Sequence, residues 1–450
     1  MDFARAYFQK IVNYRLPKTA TAPFCPSEIE GSVKISKDAS TFKKFLAFLG
    51  PGLFISIGYI DPGNWATDIE AGSRYGYSLI CIILASNIIA LFLQTLCVRV
   101  GIATRKNLAE LCRDRFNRKL NLSLWLLAEI AIVACDLAEV LGTALAFQLL
   151  FKIPLSLGVL LTALDTIIVL AFQGKGVRRV EAMMLGFVTT VAISFAVQLW
   201  LVQPNLVEIA HGFLISSLTF PDHHSLYLAI GIMGATVMPH NLYLHTSLVQ
   251  TRTRGDSDQA KKEAIRFSNW DIWISLGLAF LVNAAILILA GTVFHHPGQT
   301  AVTEIDDAYS LLAPLVGSVF APFLFGIALL ASGQSSTLTG TIAGQVVLEG
   351  FLKLKIPCWQ RRLITRALAL IPAYIGVKVS GAHALGGLLV LSQVVLSLQL
   401  PFAIAPLILF ASDQDLMGSF SVVGFRKFLY WVLFGIVTIA NFILLIFLFQ

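Results

Sequence analysis

A run of long apolar stretches constrains this chain more than any other feature. Eleven of them can be marked, at approximately 47–72, 76–98, 121–150, 154–173, 180–203, 223–250, 270–294, 309–346, 362–380, 384–411 and 427–449. A helix needs about 20 mostly apolar residues to cross a bilayer. Inside the hydrocarbon layer the backbone must satisfy its own hydrogen bonds, so such segments are helices. A membrane β-barrel would instead show short alternating strands. A large soluble core is excluded because these runs have no polar face and only 13% of the residues are charged, against about 25% in soluble domains. The expected class is an all-α integral membrane protein lodged in a lipid bilayer. Several stretches are longer than one crossing requires, which implies tilt, breaks or re-entry.

The formal charge is +7, and its placement matters more than its size. With the N-terminus cytoplasmic and sides alternating at each span, 30 of the 33 Lys and Arg fall in the N-terminal segment 1–46 and the inner loops. Only Arg74, Lys152 and Lys378 fall outside. Positive residues prefer cytoplasmic loops, so the expected location is a cell (plasma or inner) membrane, crossed many times, with the C-terminus outside. Read as topology, the basic surplus gives no reason to expect a nucleic-acid partner, and no obligatory protein partner is evident. Segment 1–46 shows no apolar run with a cleavage site, so no removable signal is expected. Of the six cysteines, Cys81, Cys97 and Cys135 fall inside spans and read as small apolar packing residues.

Two spans carry breaks at corresponding places. The first reads Gly58-Tyr59-Ile60-Asp61-Pro62-Gly63-Asn64, the sixth Gly234-Ala235-Thr236-Val237-Met238-Pro239-His240. Proline lacks an N–H and clashes with the carbonyl four residues back. Five spans separate the two breaks, so the helices run in opposite directions, the pattern of an inverted repeat. This divides the chain into 47–203 and 223–411, with 427–449 as an appended eleventh helix. Pro62 leaves the carbonyl of Gly58 without its helical donor, and Pro239 leaves that of Ala235. Such carbonyls are tolerated at membrane depth where they line a polar cavity or meet an ion.

These groups suggest a cation site made of the Asp61 carboxylate, the Asn64 amide oxygen, the Met238 sulfur and the carbonyls of Ala235 and, as a further candidate, Gly58. A carboxylate at mid-membrane costs at least ~2.5 kcal/mol and normally marks an ion or proton path. Oxygen donors suit hard cations, whereas a thioether favours softer ones such as Mn²⁺, Fe²⁺, Co²⁺ or Cd²⁺ over Ca²⁺ and Mg²⁺. Gln393, buried in span ten, either reaches the ion or bonds a neighbouring helix.

Other polar residues suggest proton movement. Asp136 and Glu139, three apart, share a helix face and read either as a relay or as a structural pair capped by a base. His240 and His245 follow the second break. Five residues set them about 140° apart on a helix, so they do not share one ion. Arg366, near the inner end of span nine, is either an anchor or a partner to the acids. No phosphate loop GxxxxGK[ST] occurs, so an ion gradient rather than ATP is the expected energy source. No catalytic residue set and no resident cofactor are expected; the chain is not read as an enzyme.

Asp61-Pro62-Gly63-Asn64, Met238-Pro239-His240 and the stretch from Gly333-Gln334-Ser335-Ser336-Thr337 to Gly344-Gln345 together closely resemble the Nramp family of proton-coupled divalent metal transporters, in its bacterial manganese-transporter branch. The resemblance covers roughly 44–449. It implies a LeuT-type fold of eleven transmembrane helices with alternating access, importing Mn²⁺ or Fe²⁺, and also Cd²⁺ or Co²⁺, together with H⁺. It implies metal ligation by Asp61, Asn64, Met238 and the Ala235 carbonyl, with Gly58 and Gln393 joining in some conformations. Gly58 stands where members often have alanine, a change expected to be tolerated because only the carbonyl is wanted. The implied proton route is Asp61, Asp136, Glu139, His245 and Arg366, with His240 belonging to the motif. An amino-acid symporter of the same fold is disfavoured because Asp61 would repel a substrate carboxylate. A metal sensor would share the site and be distinguished by the lack of flux.

Overall fold

The computed structural model describes residues 40–173, 177–214, 220–252, 257–296, 301–318, 320–354, 358–380 and 385–448, with 33, 35 and 218 as isolated positions. Most of the N-terminal segment 1–46 and the inner-loop cations Lys175, Arg254 and Lys355 lie outside them. Among the described residues the regular structure is helical. The order is α1 (Thr41–Phe48), α2 (Pro51–Gly58), α3 (Pro62–Tyr75), α4 (Ile80–Thr104), α5 (Leu108–Arg115), α6 (Arg118–Phe151), α7 (Leu155–Gln173), α8 (Val177–Val202) and α9 (Leu206–Gly212). There follow α10 (His223–Val237), α11 (Pro239–Leu248), α12 (Asp258–Val293), α13 (Ile305–Val316), α14 (Phe320–Leu352), α15 (Cys358–Ser380), α16 (Leu385–Ser412), α17 (Gln414–Met417) and α18 (Phe425–Leu448).

Seven described helices are long and apolar enough to cross a membrane: α4, α6, α8, α12, α14, α16 and α18. An eighth crossing follows if the α1–α2 segment and α3, bent by 55°, are one span. The other three expected stretches are helical too, as α7, α10 with α11, and α15. One boundary is corrected. The stretch 309–346, read as a single run, is divided into α13 and α14. Gly317 ends α13 in the left-handed region at φ 70°, a conformation open to glycine at little cost, and apolar patterning does not register it.

Both prolines at the breaks act as helix starters. Pro62 is the first residue of α3 and Pro239 the first of α11, where a missing N–H costs nothing. Asp61 caps α3, its Oδ1 accepting the Asn64 N–H at 2.9 Å. Met238 ends α10 and begins α11 at φ 40° and ψ 103°. Positive φ in a non-glycine residue is strained backbone, held in place by the packing around it.

The core grips the first break. Trp65 is buried, with Phe195 of α8 and Phe325 of α14 edge-on at 4.9 and 5.1 Å. Its Nε1 donates to the Ile60 carbonyl at 3.2 Å, which also accepts from Ser332 Oγ at 2.5 Å. α6 packs against α14, where a Cβ on Gly340 would lie 2.9 Å from Glu139 Oε1 and 3.4 Å from Asp136 Oδ1. A side chain at this position would have to push the Glu139 carboxylate aside. Outward-facing side chains are apolar, with Trp200 and Phe442 more than half exposed, as a lipid-facing surface requires.

Candidate metal centre

The two breaks face each other. Asn64 Nδ2 donates to Asp61 Oδ1 at 2.6 Å and crosses to the Ala235 carbonyl at 3.2 Å. That carbonyl is the one Pro239 cannot serve, so the acceptor freed in one helix is met from the other. Met238 Sδ lies beside Gly58, within 3.2 Å of where a Cβ would stand, and Asn241 Nδ2 reaches the sulfur at 3.7 Å. Gln393 of α16 packs directly on Gly63 at the start of α3, its Nε2 donating to Ser392 Oγ at 3.0 Å. All six expected metal-site residues, Gly58, Asp61, Asn64, Ala235, Met238 and Gln393, are buried, and they gather at this crossing of α2, α3, α10, α11 and α16.

The local electrostatics favour a cation. The C-terminal end of α10 turns its last carbonyls, Ala235 among them, toward the break, and that is the negative end of a helix. Asp61 spends Oδ1 on its cap and on Asn64, while its buried Oδ2 has no protein hydrogen-bond partner among the described residues. A buried polar atom of this kind calls for a partner. Among the described residues no three His, Cys, Asp or Glu side chains converge as a metal cluster. The other donors within reach of a cation at this point are amide, thioether and carbonyl groups beside Asp61.

The expected proton-path residues form two groups. Asp136, Glu139, Arg366 and His240 lie around α6. Arg366 Nη1 is 4.0 Å from Glu139 Oε2, and both side chains are buried. Arg366 is therefore a partner to these acids rather than a membrane anchor. Cys135 Sγ stands 3.7 Å from Glu139 Oε1 and 3.9 Å from His240 Nε2, so this cysteine belongs to the polar cluster as well as to the packing. His245 points elsewhere: its Nδ1 meets Gln94 Oε1 at 2.8 Å, Gln94 Nε2 donates to Tyr59 Oη at 3.0 Å, and Tyr59 Oη to the Val237 carbonyl at 3.4 Å. The two histidines thus serve different partners, as their spacing required.

Contacts close the centre on both sides. On one side Arg252, 1% exposed, reaches Glu181 Oε1 at 2.5 Å and the Leu49 carbonyl at 3.1 Å. There Gly50, at φ 144°, donates to Asp271 Oδ1 at 3.2 Å, and a side chain on it would strike Glu181 and Arg252. On the other side Glu70 accepts from Arg74 Nε and meets His224 Nε2, both at 2.8 Å, and Tyr75 Oη donates to Asp222 at 2.8 Å. These contacts join the far end of α3 to the start of α10.

A family model described as natural resistance-associated macrophage protein-like matches residues 52–447. The chain belongs to the Nramp family. Within it, this Nramp chain is 58% identical over 436 residues to a divalent metal cation transporter of Pseudomonas aeruginosa, covering 97% of this chain and 99% of the relative. It is 55% identical to a like-named protein of Ralstonia nicotianae over 95% of this chain and 96% of the relative. The crystal structure of the Eremococcus coleocola manganese transporter in complex with an aromatic bis-isothiourea compound superposes with a TM-score of 0.87 at 38% identity, covering 93% and 90% of the two chains. A nucleobase-cation-symport family transporter shares the fold at a TM-score of 0.61 and 14% identity, over 88% of this chain and 91% of that one. The fold is the LeuT-type arrangement that the family resemblance implied, and the relatives are named as transporters rather than enzymes.

Three residues of this Nramp chain join the centre without having been expected there. Asn283 Nδ2 donates to the Tyr59 carbonyl at 2.7 Å and approaches Asn64 Oδ1 at 3.4 Å. Gln94 and Tyr59 link His245 to the second break. Each is a polar residue inside an apolar run, a signal that flags the residue but not the partner it serves. Asp68, buried on α3 one turn beyond Asn64, also has a carboxylate oxygen, Oδ2, with no hydrogen-bond partner among the described residues.

Proposed function

We propose that this chain is a secondary active transporter that imports divalent transition-metal ions, Mn²⁺ and Fe²⁺ and also Cd²⁺ and Co²⁺, coupled to protons by alternating access. One observation carries the reading: two helices broken at proline meet so that Asp61, Asn64 and the Ala235 carbonyl share one buried point, with Met238 and Gly58 in contact beside it. Oxygen donors with one thioether suit borderline divalent ions. The names borne by the Pseudomonas and Eremococcus relatives support the same cargo.

In this reading Asn64 turns its amide so that Oδ1 faces the ion, and Asn283, whose Nδ2 lies 3.4 Å from Asn64 Oδ1, turns with it so that its own Oδ1 accepts the Asn64 N–H. Such outer partners orient ligands. Asp61, Asp136, Glu139 and His245 carry the coupled protons, with Arg366 as the fixed charge beside Glu139 and His240 as a further member of the route. The Arg252–Glu181 and Glu70–His224 contacts are the inner and outer closures, opened in turn. The topology follows the charge distribution: eleven spans in a cell membrane, 47–203 and 223–411 as inverted halves, N-terminus inside and C-terminus outside.

The test is Mn²⁺ influx into proteoliposomes with internal pH recorded, for the wild type and Asp61→Ala. The wild type should take up Mn²⁺ and acidify the lumen, and the variant should do neither. Binding without influx would make the protein a sensor, and influx without acidification would remove the proton role.

A further inference from the structure

Away from the transport path, two adjoining cavities open between α4, the first half of α12 and the start of α18. The larger, about 590 Å³, is lined by Arg99, Lys262, Arg266, Asn269, Trp270 and Trp273, among others. The smaller, about 310 Å³, is almost wholly apolar, lined by Ile88, Leu91, Phe92, Val422, Leu429 and Tyr430 and sharing Arg99 and Trp273 with the first; Arg426 stands at its rim. The two spaces therefore meet at Arg99.

Their chemistry is divided. Lys262, Arg266, Trp270 and Trp273 follow one another at three- and four-residue steps along α12 and so share one face. Arg99, Lys262, Arg266 and Arg426 make no ion pair among the described residues. Asp258, at the start of α12, is engaged by Ser419 Oγ at 2.8 Å. Four cations without counter-charge thus surround one end, and an aromatic and aliphatic wall continues from it. From Arg99 back to Ile88 the groove runs about 16 Å along α4, close to the roughly 15 Å of one bilayer leaflet. Trp270 and Trp273 are more than half exposed, and tryptophan so placed favours the headgroup level.

We propose that this pair of cavities is a binding site for one anionic phospholipid of the inner leaflet. The phosphate headgroup lies among Arg99, Lys262, Arg266 and Arg426, and one acyl chain lies along Phe92, Leu91 and Ile88. Basic pockets between helices on the cytoplasmic side recognise such headgroups. Placing the site on the inner leaflet rests on the topology proposed above, whereas binding itself does not depend on transport. The lipid would wedge α18 against α4 and α12 at the side of the bundle.

Native mass spectrometry of the full chain, released from nanodiscs of mixed phosphatidylglycerol and phosphatidylcholine, tests this directly. One phosphatidylglycerol should be retained in preference to phosphatidylcholine. Neutralising three charges together, Arg99→Gln, Lys262→Gln and Arg266→Gln, should weaken retention about 100-fold, while Arg266→Lys should leave it unchanged. Phe92→Trp, which narrows the groove and keeps every cation, should also weaken it and serves if the triple variant does not fold. Equal retention of the zwitterionic lipid, or retention unaffected by either the triple variant or Phe92→Trp, would overturn the proposal. Displacement by inorganic phosphate alone would do so as well, because it would make this a free-anion site.

Discussion

Replacing Arg252 with alanine should open the protein on the α1–α2 side. The guanidinium is 1% exposed and lies 2.5 Å from Glu181 Oε1, with a further bond to the Leu49 carbonyl between α1 and α2. Without it, Glu181, 6% exposed, keeps among the described residues only Arg178 Nη1 at 3.3 Å, on a side chain that is 45% exposed. Stripping one partner from a buried ion pair costs about 3–5 kcal/mol. If this contact parts in the open form, Glu181 is hydrated there and the cost falls on the closed state alone. At 1.4 kcal/mol per tenfold, the lower figure shifts the balance toward the open form by about 100-fold. Ser56, buried on α2, reports on this. In a chain stripped of other reactive thiols, Ser56→Cys should react with a maleimide about 100-fold faster when Arg252→Ala is present. Adding Glu181→Ala removes the stranded charge and should restore slow labelling. Unchanged labelling in the single variant, or a double variant as reactive as the single, would show that this pair does not hold the closure.

Met238→Ala should weaken Cd²⁺ binding by about tenfold or more and leave Ca²⁺ binding nearly unchanged, because only soft ions gain from the thioether; isothermal titration with both ions checks this. Asn283→Ala should lower Mn²⁺ affinity about tenfold, the low end for loss of an orienting partner, again by titration. Gly340→Ala forces a methyl group against Glu139 Oε1 and should destabilise by about 1–3 kcal/mol, seen as a lower melting temperature together with slower influx. A Gly340→Ala protein with an unchanged melting temperature would mean that α6 and α14 have room to part.

Much of this molecule is legible in the residues because membrane helices obey few rules. Apolar length located the helices, and proline at Pro62 and Pro239 located the breaks, since nothing but a break or a kink relieves that clash. The six metal-site candidates gather where the breaks meet: five lie at the two broken stretches themselves, and Gln393 was marked as a polar residue buried in span ten. Asn283, Gln94 and Tyr59 were not legible. Their roles depend on which helix lies alongside, and a single polar residue in an apolar run does not name its neighbour. The Gly317 break was hidden for a related reason: α13 and α14 are both apolar, so the pattern continues across the turn. Arg366 shows the intermediate case. Its position left anchor and partner open, and only the packing of α15 against α6 decided between them.

Met238 combines two duties that a designer would normally separate. Its side chain offers the proposed centre its sulfur, while its backbone, at φ 40°, is the joint between α10 and α11. Load and joint are therefore geared together at one residue. A replacement chosen to retune affinity also resets the angle between the half-helices, and a β-branched residue would be penalised twice, once in donor chemistry and once at a backbone angle it resists. Selectivity and stroke in such a carrier are not independent dials.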